Sequence, residues 1–244
     1  MSSLQDVVFP VDFRDVHYLA LTYTSSFDAV NKKLNGTGLK AGLIFNGKPL
    51  IAVGLIEYKD SDLGAYNEVI IAIPVVPNEI KSSVFNWLDL YAPLNTRKLG
   101  QYIIHIPVTS EKSMIAGREL WGYPKNVRKI EHHFNKSEMS STICNESGNH
   151  KIVTFKGSLG IGIPIANMDL MTYSFKDGQM LKTTVDVKAN MQWKPFADIR
   201  ISIADMAEPL CEDLVEFGIC NKKPLFTIES SNFKAKFNEG VVMP

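Results

Sequence analysis

The chain has 244 residues, 45% of them hydrophobic and 21% charged, enough apolar material for a sizeable globular core. Its 26 Lys and Arg balance 26 Asp and Glu, which argues against a nucleic-acid groove or a polybasic membrane patch and leaves room only for a local basic pocket. No stretch approaches the ~18 apolar residues of a spanning helix; the opening MSSLQDVVFPVDF has neither the basic nor the long apolar region of a signal peptide, and Cys144, Cys211 and Cys220 show no C-x-x-C spacing, so free thiols in a reducing cytoplasm are expected.

In chain order, YLALTYT (18–24) reads as a strand, and SSFDAVNKKLNG (25–36) as a helix with a serine cap and Gly36 as its stop. AGLIFNGKPLIAVGLIEYK (41–59) carries Asn46-Gly47 between two strand-like runs, a hairpin signal. NEVIIAIPVV (67–76) is almost continuously apolar, as in a strand buried on both faces. PNEIKSSVFNWLDLYAP (77–93) sets Ile80, Val84, Leu88 and Tyr91 on one helical face between Asn78 and Pro93. QYIIHIPVTS (101–110) is a strand, followed by a short apolar strand over Met114–Ala116 and a tight Gly-Arg-Glu turn.

Hairpins are expected around 146–149 and around Asp177-Gly178, a bent strand at the glycine-rich KGSLGIGIP (156–164), strands at 199–204 and 225–237, and a helix from Glu208-Pro209 to Gly218. There is no fixed-period repeat and no linker, so residues 1–244 read as one domain. The pattern predicts a mostly-β sandwich or barrel with a few covering helices.

Most chemical motifs fail. The order G-x-x-G-x-G and Pro164 do not make a phosphate loop. His132 and His133 point to opposite faces of a strand, and no Cys/His quartet accompanies them, so no metal is expected. No G-x-S-x-G is present, and buried thiols are the plainer reading of the cysteines. Glu68 heads an apolar strand, either at its exposed end or turned into a barrel interior where it needs a partner.

Lys125 stands apart in GRELWGYPKNVRKI (117–130), behind a Tyr-Pro pair that fixes the backbone. Composition alone makes it an exposed turn lysine, since lysine is seldom buried. Amine chemistry would need more: an ordinary lysine is only roughly 0.04% neutral at pH 7. Burial or a neighbouring cation would favour the free amine, and an ion-paired carboxylate would oppose it.

The stretch GRELWGYPK resembles the acetoacetate decarboxylase family, whose signature is a Gly-Arg-Glu turn, an aromatic, Pro and a Schiff-base lysine; YLALTYTSSFDAV, GAYNEVIIAIPV and GQYIIHIPVTSEKSM extend the similarity over most of the chain. The resemblance implies a closed, largely antiparallel β-barrel of α+β character with covering helices, usually in homo-oligomers. It places the catalytic amine at Lys125 and the acidic residue at Glu68, and implies no cofactor.

Departures from the family pattern are visible. The second lysine of the family is Asn126 here, so activation would rest on burial. The family's arginine and second glutamate fall at Val16 and Val53; Arg14 and Glu57 lie nearby without inheriting those roles. Residues 77–98 look like an insertion that reshapes the pocket mouth or an oligomer interface. The function implied is cofactor-free decarboxylation of a β-keto acid, most simply acetoacetate, through a Schiff base on Lys125, with Glu68 orienting substrate or moving protons. The partner is then a small keto acid, with no nucleic acid and no membrane. A Schiff-base aldolase or dehydratase acting on a 2-oxo acid, and a non-catalytic barrel holding a hydrophobic ligand, are the alternatives.

Overall fold

The computed structural model describes residues 7–80, 84–204 and 206–243. Strand β1 (Val11–Thr24) leads into helix α1 (Phe27–Leu34), then β2 (Leu39–Ala41), β3 (Ile44–Phe45), β4 (Lys48–Ser61) and β5 (Tyr66–Pro77). A 3-10 segment (Val84–Tyr91) precedes β6 (Gly100–Val108), α2 (Glu111–Trp121), β7 (Lys125–Val127), β8 (Ile130–Phe134), β9 (Glu138–Cys144) and β10 (Lys151–Ser158). The chain ends with β11 (Ile163–Pro164), β12 (Leu170–Lys176), β13 (Gln179–Lys188), β14 (Gln192–Trp193), β15 (Asp198–Ile203), α3 (Pro209–Glu216), β16 (Phe226–Phe237) and β17 (Val241–Val242).

Strands β1, β4, β5, β6, β12, β13 and β16 pair in that order, and β16 pairs back onto β1, closing a barrel. Within the ring all pairings are antiparallel except β6 with β12. A second sheet, β15-β10-β9-β8, lies outside it.

This arrangement explains the continuous apolar run of β5. Its Val69, Ile71, Ile73 and Val75 belong to an outer core with Ile143 and Phe155 of the second sheet and Leu214 of α3. Ala72, with Ile70 packed beside it, belongs to an inner core with Phe13, Tyr58, Ile103 and Trp121. A strand buried on both faces has no polar alternation to show.

The local signals act as expected in most places. Ser26 Oγ accepts from the Ala29 amide and caps α1. Asn46 and Asp177 both take positive φ ahead of a glycine, as the two-residue hairpin turns require. Pro209 opens α3.

Three expectations need correction. Met114–Ala116 is not a strand followed by a turn: the whole of 111–121 is helix α2, capped by Ser110 Oγ on the Ser113 amide and ended by Gly122 at φ 65°. The glycine-rich segment is not one bent strand: β10 stops at Ser158, and the chain crosses to the barrel sheet at β11.

The expected amphipathic helix at 77–93 is a 3-10 segment over Val84–Tyr91. Residues 81–83 and the side chains of Val84 and Phe85 lie outside the described residues. Leu88 and Tyr91 are exposed rather than inward, while Trp87 packs on a third small cluster with Leu43, Leu50 and Leu99 and donates to the Ile44 carbonyl. Among the described residues no helix is long and apolar enough to cross a membrane.

Candidate active site

The barrel interior holds a cavity of about 120 Å³. Among its described lining residues only Lys125 and Glu68 carry charge, and most of the rest are aromatic or aliphatic. Both charged side chains are buried, at 4% and 2% exposure. The structure therefore brings the two sequence candidates together: Lys125 Nζ donates to Glu68 Oε2 at 2.7 Å. Burial resolves the open reading of both residues, since Lys125 is not a turn lysine in solvent and Glu68 is not the exposed end of a strand.

The Gly-Arg-Glu motif acquires a structural meaning in helix α2. Gly117 faces the Lys125 stem: a methyl group at Gly117 would collide with Lys125 Cδ and sit 2.7 Å from Cε. Arg118 Nε donates to the Lys125 carbonyl at 2.6 Å. Pro124 is spanned by a three-residue turn, Lys125 N–H to Tyr123 carbonyl at 2.8 Å, and Tyr123 is fixed by its hydroxyl against Thr172 Oγ1 at 2.7 Å. Glycine makes room for the stem, arginine holds the backbone, and the Tyr-Pro turn aims the amine inward.

Residues that the sequence did not single out complete the surroundings. Ser113 Oγ, one helical turn before Gly117, accepts a second hydrogen bond from Lys125 Nζ at 2.9 Å. Tyr58 donates its hydroxyl to Glu68 Oε1 at 3.0 Å, and the Tyr66 ring centroid lies 5.4 Å from Nζ. Burial first, and the Glu68 charge next, push both Tyr58 and Tyr66 well above the ordinary tyrosine range, so Tyr58 stays a donor.

His132 accepts at Nδ1 from Ser141, so its Nε2 carries the proton that reaches the Glu68 carbonyl at 3.3 Å. Burial pulls it down to about 4. Reading α2 as a helix would have revealed Ser113 by its i, i+4 spacing to Gly117. Tyr58 and Tyr66 carry no local signal, because β4–β5 pairing alone puts them opposite each other.

The departures from the family pattern stand in three dimensions. Val16 is fully buried in the inner core and Val53 in the outer one, both apolar. Arg14 instead holds Asp60 and Asp62 at the surface, and Glu57 sits near Lys59. None of the described residues of 77–98 lines the cavity, so the described part of the insertion does not shape it. Among the described residues no cluster of three or more His, Cys, Asp or Glu side chains is placed to hold a metal ion.

A closed barrel around a buried lysine–carboxylate pair is the class of molecule defined so far. Residues 2–191 match the family model of acetoacetate decarboxylase (ADC), and the chain belongs to that family and is an enzyme of that type. Solved structures share the fold at low identity. An acetoacetate decarboxylase aligns at 17% identity and TM-score 0.71, over 99% of this chain and 93% of its own. The acetoacetate decarboxylase of Legionella pneumophila aligns at 14% and 0.70, over 100% and 92%. The enduracididine biosynthesis enzyme MppR complexed with pyruvate aligns at 10% and 0.64, over 99% and 92%. No curated protein matches the sequence.

Proposed function

We propose that the protein decarboxylates a β-keto acid, in the simplest case acetoacetate to acetone and CO2, through a Schiff base on Lys125. The observation that carries this reading is the Lys125–Glu68 pair, buried in a cavity whose lining offers no second cation. An ammonium must lose a proton before it attacks, and Glu68 Oε2 is placed to take it. The freed amine adds to the ketone carbon. Glu68 returns its proton to the departing hydroxyl, and water leaves an iminium on Nζ.

The substrate carboxylate now sits β to that cation. The bond to CO2 breaks, and its electron pair flows to nitrogen as an enamine. Protonation at carbon and addition of water release the ketone and restore Lys125. The lining favours this route over one that keeps the carboxylate: an anion beside Glu68 in apolar surroundings is costly to hold, and its loss as CO2 relieves that cost.

Borohydride reduction in the presence of acetoacetate is expected to place the mass of the reduced imine on Lys125. No adduct, together with undiminished CO2 release by Lys125→Ala, would overturn the reading. The fold likeness to MppR, one structure of which holds the condensation product of pyruvate and imidazole 4-carboxaldehyde, supports a second reading in which the same amine serves an aldol or dehydration step on a 2-oxo acid. Condensation of pyruvate with an aldehyde, without CO2 release from acetoacetate, would select it. Self-association into a homo-oligomer is part of the proposal, and light scattering on the purified protein tests it.

A further inference from the structure

With Lys125 read as the attacking amine, one end of the cavity is fixed, and the lining beyond it bears on the rest of the substrate. Around the amine the walls are large: Tyr58, Tyr66 and Tyr123. Along β4 the cavity-lining residues then shrink from Tyr58 through Ile56 to Gly54 and Ala52. The neighbouring strands continue the trend, with Ala20 opposite Gly54 and Ala72 opposite Ala52. Ile56 pairs with Glu68, so the small residues extend about 13 Å of strand away from the level of the carboxylate. Space is therefore made on the side remote from the chemistry.

The cavity of about 120 Å³ is a little smaller than the roughly 150 Å³ that takes a benzene ring, so it holds acetoacetate, of ~7 non-hydrogen atoms, with room for about two more carbons at most. The lining beyond Glu68 and Lys125 is uncharged, so a phosphate or second carboxylate on the tail would have no partner. The apolar run ends at Gln101 of β6, which pairs with Pro74 just past Ala72. Its Oε1 is buried without a hydrogen-bond partner among the described residues.

We propose that the site selects 3-oxo acids with a short uncharged apolar chain, up to about six carbons in all. Gly54, Ala52 and Ala72 form the bed of the chain, and Gln101 is the polar stop that sets its length. The proposal rests on the Schiff-base reading of Lys125.

The test compares kcat/KM for CO2 release from acetoacetate, 3-oxohexanoate, 3-oxooctanoate and 3-oxodecanoate, with borohydride trapping run beside each. Burying each added methylene is expected to raise kcat/KM roughly fourfold until the cavity is full. Ala72→Leu should lower the ratio of 3-oxohexanoate to acetoacetate by tenfold or more. Gln101→Leu, similar in volume, should move the optimum toward 3-oxooctanoate.

Trapping on Lys125 with kcat/KM flat or falling beyond acetoacetate overturns the chain-length inference and leaves the Schiff-base reading intact. An unchanged length profile in folded Ala72→Leu and Gln101→Leu overturns the roles given to those residues. No adduct with any acid of the series overturns both the inference and its basis.

Discussion

Replacing Gly117 by alanine separates the placement of the amine from its chemistry. The added methyl would meet Lys125 Cε at 2.7 Å and Cγ at 3.0 Å, with Cδ closer still. Ordinary contact is 3.4–4 Å, so the stem must withdraw by about 1 Å, and both the 2.7 Å contact to Glu68 and the 2.9 Å contact to Ser113 are lost or stretched. A displacement of about 1 Å costs on the order of 100-fold in rate, or about 2.7 kcal/mol of barrier. The fold should tolerate the change. Alanine in a helix interior gains up to ~1 kcal/mol over glycine, against about 1–3 kcal/mol for overpacking. The expected outcome is a near-normal thermal melt with kcat/KM for CO2 release and the rate of borohydride trapping both down about 100-fold. A Gly117→Ala protein that releases CO2 and is trapped at the parent rate would refute the account of the Gly-Arg-Glu motif as the space for the lysine stem.

Removing Lys125 alone, as Lys125→Met, strands a buried carboxylate and should cost about 3–5 kcal/mol in urea denaturation; the double variant Lys125→Met/Glu68→Gln should recover most of it. Glu68→Gln alone should keep a folded barrel and lower kcat by roughly 10² to 10⁴, since an amide takes no proton from Nζ. Burial holds His132 at a folded-state value of about 4, below its ordinary 6.5. Its contribution is fully present above about pH 6.5 and is lost as pH falls toward 4, a decline of up to about 3 kcal/mol that should be absent from the pH–stability profile of His132→Gln. A His132→Gln profile parallel to that of the parent would contradict the buried neutral imidazole.

How far the sequence discloses the protein depends on whether the signal is local. The serine cap of α1, the proline that opens α3 and the turns at Asn46-Gly47 and Asp177-Gly178 are written within a few residues, and the structure agrees with them. Helix α2 had local signals as well, Ser110 at its start and Gly122 at its end. The interior Gly117 disguised it as a turn, because glycine disfavours helix by propensity while here it is kept for the space it leaves. The 77–93 segment misled in the opposite way: a helical apolar period is present, yet Asn86 and Trp87 anchor to the body through the Gly42 and Ile44 carbonyls, and tertiary contact decides the conformation. Lys125 and Glu68 were legible as candidates through the resemblance. Their meeting was not, because it depends on α2 and β7 lying across from β5, a relation that no spacing in the sequence encodes.

A buried ion pair is a poor device for stability, since the desolvation of both charges rivals their attraction. Its retention at the centre of an apolar cavity therefore asks for another reason, and the proposed reaction supplies one. The pair holds one proton between two groups, so attack and dehydration can proceed by passing that proton to Glu68 and back without solvent entering. With the substrate bound, the cavity contains one cation and two carboxylates. After loss of CO2 it contains a neutral enamine and Glu68 alone, and protonation of the enamine returns the balance to one cation and one anion. Loss of CO2 leaves the net charge at one negative but removes the second carboxylate from beside Glu68, and protonation of the enamine then brings the balance to zero; with no second cation among the described lining residues, the repulsion between the two carboxylates is uncompensated until CO2 departs. By the same reasoning, introducing a cation by Ile70→Arg, on the cavity-lining side of β5, should tighten KM for acetoacetate and lower kcat, because it would stabilise the carboxylate that must leave. A kcat raised by that substitution would show that charge relief is not what drives the cleavage.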